Sequence, residues 1–254
     1  MSEGKKEIFL GDCLELYKNI KPKSIDLILT DLPYGTTACK WDTIIPFDKL
    51  WEMVNYLLKP NGAFITTASQ PFSSALIMSN PKMFKYEWIW DKKIPSGMAY
   101  ARFQPMRQHE NILIFCKGKT VYNPQSIKRT KPIKGGGMSK GETTNNQNLI
   151  ALKKTYEYKN PTTILVEDKI RKGSIHPTQK PVALFEYLIK TYTNETDLVL
   201  DNTAGSGTTA IACLNTNRQF IVMEKEQKYY DIILKRVGDF NKKFETQTLF
   251  GNEI

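Results

Sequence analysis

Short apolar runs alternate with segments of helical spacing along most of this chain, and that alternation limits the fold more than any other feature. Residues 8–10 and 25–30 (IDLILT) are apolar runs of strand length. Residues 47–58 place Phe47, Leu50, Trp51, Val54, Leu57 and Leu58 at helical spacing, and Pro60-Asn61-Gly62 then signals a turn. The same reading predicts strands over 63–67, 86–90, 111–116, 198–200 and 220–223. It predicts helices over 71–79, 181–192, 207–214 and 227–240. Strand and helix units of this length, taken in turn, build a Rossmann-like α/β fold with a mostly parallel sheet covered by helices.

With 254 residues, 41% of them hydrophobic, the chain is long enough for one good core without disulfide or metal staples. No apolar run approaches the roughly 18 residues of a membrane span. The N-terminal MSEGKKEIFLGD has too short an apolar stretch for a signal peptide. Cys13, Cys39, Cys116 and Cys213 show no C-x-x-C spacing. That argues against zinc and disulfides, and for a reducing, cytoplasmic setting. No metal is expected, and His109-Glu110 has no other ligand-type residue beside it.

The net charge is +10, and its position matters more than its size. Residues 117–173 hold thirteen Lys/Arg against four acids, so nearly the whole excess lies in one segment. Within it, Gly135-Gly136-Gly137 and MSKGETTNNQN (138–148) have no amphipathic period. Such a stretch is mobile alone or orders against a partner. Strand signals resume beyond it, so 117–173 reads as an insertion into one domain formed by 1–116 and 174–254. Concentrated positive charge points to a polyanion partner.

Two strand ends carry chemistry. Leu198-Val199-Leu200-Asp201-Asn202-Thr203-Ala204-Gly205-Ser206-Gly207-Thr208-Thr209-Ala210 runs from strand to glycine turn to helix. Glycine lets backbone approach a ligand, and the helix start offers free N–H groups. The next strand ends at Glu224, a carboxylate placed to accept the hydroxyls of a ribose. Gly205-x-Gly207-x-x-Ala210 fits NAD as well as other adenosyl cofactors. The second strand end is Asp31-Leu32-Pro33-Tyr34, after 25–30. An acceptor, a fixed backbone and a flat ring at the carboxyl edge of a sheet suit a planar amine.

Asp31-Leu32-Pro33-Tyr34 resembles the D-P-P-Y motif of amino-methylating DNA methyltransferases, and 201–209 resembles their D-x-x-x-G-S-G-T-T methyl-donor loop. His176-Pro177-Thr178-Gln179-Lys180-Pro181 is similar to the H-P-T-Q-K-P stretch of the β class, and Gly11-Asp12-Cys13-Leu14 is also like the family. The order, catalytic motif first, basic insertion next and donor loop last, is the β-class arrangement. The 30–42 stretch is most similar to small phage-type or orphan adenine methylases.

The resemblance implies S-adenosylmethionine as cofactor and double-stranded DNA as partner. It implies a flipped-out base whose exocyclic amine is held by the Asp31 carboxylate and the Leu32 carbonyl, with Pro33 fixing the turn and Tyr34 stacking on the base. Cofactor binding would fall to Asp12, Asp31, Thr178, Lys180, Asp201, Asn202, Thr203, Ala204, Gly205, Ser206, Gly207, Thr208 and Glu224. Of these, Asp12 and Glu224 would hold the adenine amine and ribose, and Thr178 and Lys180 would face the methionine carboxylate. Leu32 stands where the family has its first proline, and Asn202-Thr203 where it commonly has Pro-Phe. His176 is expected to be structural. Trp41 could line the base pocket or pack in the core, and Gln70-Pro71-Phe72 falls at the next strand end. Small β-class members often dimerise, so a homodimer is a further expectation. A restriction-endonuclease partner is left open.

Within the family an acid at the start of the catalytic motif goes mainly with N6-adenine, and Ser or Thr with N4-cytosine. Adenine is therefore the first reading and N4-cytosine the second. C5-cytosine chemistry is excluded, because it needs a nucleophilic cysteine after proline and none of the four cysteines follows one. An NAD oxidoreductase would explain the glycine turn alone. A non-catalytic nucleic-acid binder would not need Asp31 and Tyr34. Protein or RNA methylation stays possible on the catalytic motif, and the motif order and basic insertion favour DNA.

Overall fold

The computed structural model describes residues 5–36, 39, 42–135, 154–169 and 179–250, without the side chains of 154 and 244–250. They fall into two compact units, one of residues up to 123 and from 163 onward, the other Pro124–Thr162.

The larger unit is built on an eight-stranded sheet. Its strands are β1 (Lys6–Leu10), β2 (Ile25–Thr30), β3 (Leu58–Ala68), β4 (Phe84–Ser96), β5 (Arg107–Phe115), β8 (Ile164–Val166), β9 (Leu198–Asp201) and β10 (Gln219–Glu224). The spatial order is β1-β10-β9-β2-β3-β5-β4-β8. The five strands from β1 to β3 run parallel, β5 lies antiparallel to β3 and β4, and β8 is parallel to β4. The mostly parallel sheet expected from the sequence is present.

Both faces are covered. Along β10, Phe220 and Val222 join one cluster while Ile221 and Met223 join the other. On β5, Ile112 and Ile114 face one way and Leu113 and Phe115 the other. This explains why the strands read as continuous apolar runs: a sheet sandwiched between helices buries both sets of side chains. One face packs on α1 (Cys13–Leu16), α2 (Phe47–Leu57) and α3 (Phe72–Ser79). The other packs on α4 (Val182–Tyr192), α5 (Thr208–Asn215) and α6 (Gln227–Phe250). Each Leu- or Phe-sized side chain so buried contributes about 1.5–3 kcal/mol.

Several strands extend beyond the spans read from sequence, β3, β4 and β5 by the most. Pro60-Asn61-Gly62, expected as a turn, lies inside β3 as an irregularity: Ile25 pairs with Leu58, but Leu27 pairs with Ala63. Gly62 allows the close approach, since a Cβ there would meet the Asp26 carbonyl at 3.0 Å. β5 starts at Arg107, four residues before the apolar run that predicted it, so its polar start reaches the carboxyl edge of the sheet.

The basic stretch 117–173 divides between the units. Asn123 is tied to the end of α4, its N–H donating to Thr191 O at 2.7 Å and its side-chain amide to Thr193 O at 3.0 Å. β8 extends the sheet edge, and Trp90 Nε1 donates to Glu167 O at 2.8 Å. These segments belong to the larger unit. The smaller unit holds a two-stranded antiparallel ribbon of β6 (Ile127–Gly135) and β7 (Lys154–Lys159), with Lys128 opposite Tyr158 and Ile133 opposite Tyr156. Sequence periodicity missed this ribbon because its side chains are nearly all exposed and so carry no in–out alternation. Residues 138–148, expected to be mobile or partner-ordered, lie outside the described residues.

Candidate active site

The connections around the sheet fix where a ligand can sit. From β9 the chain passes outward to β10, while from β2 it passes outward the other way to β3. The crevice at such a reversal, beyond the carboxyl ends of neighbouring strands, is where open α/β sheets bind ligands. Here it lies beyond β2 and β9, and a cavity of about 500 Å³ opens there. That volume falls in the usual range of about 300–1,000 Å³ for small-molecule sites.

The turn after β2 supplies one wall. Asp31 follows the strand directly, and its carboxylate collects three donors. Tyr34 Oη donates to Oδ1 at 2.7 Å, Thr67 Oγ1 donates to the same oxygen, and Lys180 Nζ donates to Oδ2 at 2.6 Å. A carboxylate has about four acceptor positions, so one remains for a further N–H. Leu32 is buried in the core cluster and also lines the cavity. The Tyr34 ring stacks on Phe72 at 5.2 Å between centroids. Burial, with Asp31 and Glu110 nearby, pushes the Tyr34 phenol well up, so it remains a donor at neutral pH. Of Gln70-Pro71-Phe72, Phe72 thus supports the Asp31–Tyr34 turn through the Tyr34 ring, and none of the three lines the cavity.

The turn after β9 supplies the opposite wall. Asp201 accepts from Thr203 N–H at 3.1 Å and from the Thr209 hydroxyl. Glu224, at the end of β10, accepts from Gly205 N–H at 2.7 Å and Glu226 N–H at 2.8 Å. Arg236 of α6 donates to Ser206 O at 2.6 Å. Thr203 Oγ1 donates to Asp31 O at 3.1 Å, joining the two walls. Gly205 has φ +53° and Gly207 φ +79°, left-handed values that favour glycine. Asn202 Oδ1 is buried without a hydrogen-bond partner among the described residues, and Asn202 lines the cavity. A buried acceptor left open in this way fits a ligand that brings its own donor.

The third wall comes from the antiparallel half of the sheet. Glu110 of β5 lies 3.5 Å from Lys180 Nζ and 3.2 Å from Nζ of Lys92 on β4. Burial would raise the Glu110 carboxyl, but Lys180 and Lys92 outweigh it and hold it low. Burial would likewise lower Lys180, and Asp31 and Glu110 together raise it instead. Lys180 therefore stays an ammonium, clamped between two carboxylates. The sequence reading placed Lys180 towards a methionine carboxylate; in the structure its ammonium is bonded to Asp31 and lies beside Glu110.

The other expected residues are distributed plainly. Asp12 caps α1 by accepting from Leu14 N–H at 2.9 Å and pairs with Lys225 at 3.2 Å, at the cavity mouth. Pro33, Ala204 and Thr208 also line the cavity. Gly207 does not; it caps α5 and packs on Ile233, which a Cβ would meet at 3.0 Å. Thr178, His176 and Trp41 lie outside the described residues. Sequence reasoning missed Glu110, Lys92 and Thr67 as parts of the site. The only signal for Glu110 was an acid beside an apolar run, which is common on any strand end.

The family model for N6/N4 methylases, described as DNA methylase, matches residues 25–235 and so spans all three walls. The chain belongs to the N6/N4 DNA methylase family. Among relatives of this methylase, the type II methyltransferase M.HpaI of Haemophilus parainfluenzae is 28% identical over 252 residues, which cover 93% of this chain and 76% of the relative. The DNA adenine methyltransferase YhdJ of Escherichia coli (strain K12) is 28% identical over 257 residues, covering 91% and 82%. The crystal structure of the M1.HpyAVI-SAM complex superimposes with a TM-score of 0.60 at 26% identity, covering 91% of this methylase and 98% of that chain. The cytosine-N4-specific PvuII DNA methyltransferase gives 0.64 at 18% identity, covering 91% and 86%, a likeness of fold.

Proposed function

We propose that this methylase transfers a methyl group from S-adenosylmethionine to the exocyclic N6 of a flipped-out adenine in double-stranded DNA. The observation that carries the reading is the acceptor position remaining on Asp31, at the cavity and beside an aromatic ring. An exocyclic amine is a weak nucleophile because its lone pair is delocalised into the ring. The Asp31 carboxylate and the Leu32 carbonyl would accept its two N–H groups and favour a pyramidal nitrogen, while Tyr34 presents a ring face to the base. Lys180 and Tyr34 fix the carboxylate that does this, so little reorganisation is needed as positive charge grows on nitrogen.

Bound S-adenosylmethionine would supply an electrophilic methyl group. Asn202 offers a buried acceptor, Glu224 keeps acceptor capacity for ribose hydroxyls, and Gly205 lets the backbone come close. An acid at the head of the catalytic turn favours adenine over cytosine, and YhdJ, named as an adenine methyltransferase, supports the same assignment. The exposed basic ribbon of Pro124–Thr162 is assigned to target recognition.

Modification-sensitive sequencing of DNA from cells expressing the protein should reveal N6-methyladenine at a defined site. N4-methylcytosine would overturn the adenine assignment while leaving the amine chemistry unchanged. Asp31→Ala should remove nearly all methyl transfer yet keep S-adenosylmethionine affinity within a few-fold by calorimetry, because its main effect is on the target amine.

A further inference from the structure

β4 and β5 are antiparallel, so the loop joining them, residues 97–106, emerges at the same edge as the ends of β2 and β3. Its starting point is fixed: Ser96 lines the cavity and its hydroxyl donates to Arg107 O at 3.2 Å across the base of the loop. The loop has built structure. Gly97 turns it with φ +94°, Met98–Tyr100 form one 3₁₀ turn, and Phe103 N–H and Gln104 N–H both donate to Tyr100 O, at 2.9 and 3.1 Å.

On this ordered backbone three large side chains face solvent: Met98 at 74%, Tyr100 at 61% and Phe103 at 85% exposure. Three large side chains exposed together on one ordered loop mark an interaction surface rather than the scattered exposure of an ordinary surface. Charge selects the occupant. Lys92 and Lys93 are already paired with Glu110 and Asp168, but the loop and its end carry Arg102 and Arg107 and no acid, which favours a polyanion over a protein surface. A base drawn into the cavity leaves its gap next to the rim from which this loop springs, and apolar side chains such as Phe and Met are the residue types that enter base stacks.

We propose that the 97–106 loop is a wedge, in which Phe103 enters the duplex and occupies the space the target base leaves, with Arg102 and Arg107 on flanking phosphates. The proposal rests on the flipped-base reading above. The test uses full-length protein and two duplexes carrying the site found by sequencing, one with 2-aminopurine at the target position for fluorescence and one with adenine there for methylation kinetics. Wild type should raise the 2-aminopurine fluorescence. Phe103→Ala should lose most of that rise and about tenfold or more of kcat/KM on the paired duplex, recovering when the target is mispaired, because unpairing costs a few kcal/mol. Phe103→Trp should retain both signals, and S-adenosylmethionine affinity should be unchanged in both variants.

Full activity of Phe103→Ala on the paired duplex, or an equal loss on paired and mispaired duplexes, would overturn the wedge alone. No fluorescence rise in wild type would count against base extrusion itself, and the wedge with it. Loss of self-association by Phe103→Ala with DNA activity intact would assign the patch to a second copy of the chain and overturn the wedge.

Discussion

Lys180 joins two acids, Asp31 after β2 and Glu110 on β5, and through Glu110 a second lysine, Lys92 on β4, into one charge system. Breaking a buried pair leaves an uncompensated charge, which costs more than the pair contributes. Glu110→Gln should therefore lower stability by about 3 kcal/mol in thermal or urea unfolding. Adding Lys92→Met should recover most of the loss, since the charge left behind is then gone. Asp201 acts with the opposite sign. Burial raises its carboxyl from 3.8 to about 6, so the native state holds that proton more tightly than the unfolded chain. Its contribution is fully present below pH 4 and is lost as pH rises through about 6. Asp201→Asn should remove this fall: between pH 5 and 7.5 the ligand-free wild type should lose about 1.4 kcal/mol of stability relative to the variant. Urea titrations at the two pH values measure it.

At the scale of elements, the strand–turn–helix unit of β9 and α5 forms one wall of the cavity and is the proposed methyl-donor side. Gly205 takes φ +53° and donates its N–H to Glu224 at 2.7 Å. Gly205→Val would strain that backbone and push a side chain towards the cavity, so S-adenosylmethionine affinity should fall at least tenfold by calorimetry, a change of about 1.4 kcal/mol. Normal affinity would make the turn a purely structural one. This unit was legible in the sequence because all its parts are local: an apolar strand, two glycines and a helix start within a few residues. Asp31–Tyr34 was legible for the same reason. Glu110, Lys92 and Thr67 were not, because each joins the site only through pairing of β3, β4 and β5, and no local pattern records which strand end will face Asp31. The β6–β7 ribbon was hidden differently. A strand whose two faces both meet water has no alternation to read.

At the scale of the whole molecule, charge and chemistry occupy different parts of the chain. If the ribbon grips phosphate, Lys128→Ala with Lys134→Ala should lessen the slope of log affinity against log salt by up to about two units, through fewer released counterions. Cofactor affinity should not change, since neither residue lines the cavity. An unaltered slope in a filter-binding or anisotropy titration would return the DNA grip to the sheet edge and its 97–106 loop.

The order of strands in space also sets a timetable for biosynthesis. β1 is bonded in the sheet only to β10, and β2 meets β9 through Leu27 opposite Val199 and Ile28 opposite Leu200. Ribosomes add about 5–20 residues per second, so β2 waits roughly 10–30 seconds for β9 to emerge. Throughout that interval a mostly apolar strand edge is open to other chains. The nascent protein is therefore most exposed to misassociation before β9 is made, and the Asp31–Tyr34 turn cannot reach its folded shape until the turn after β9 that braces it has left the ribosome.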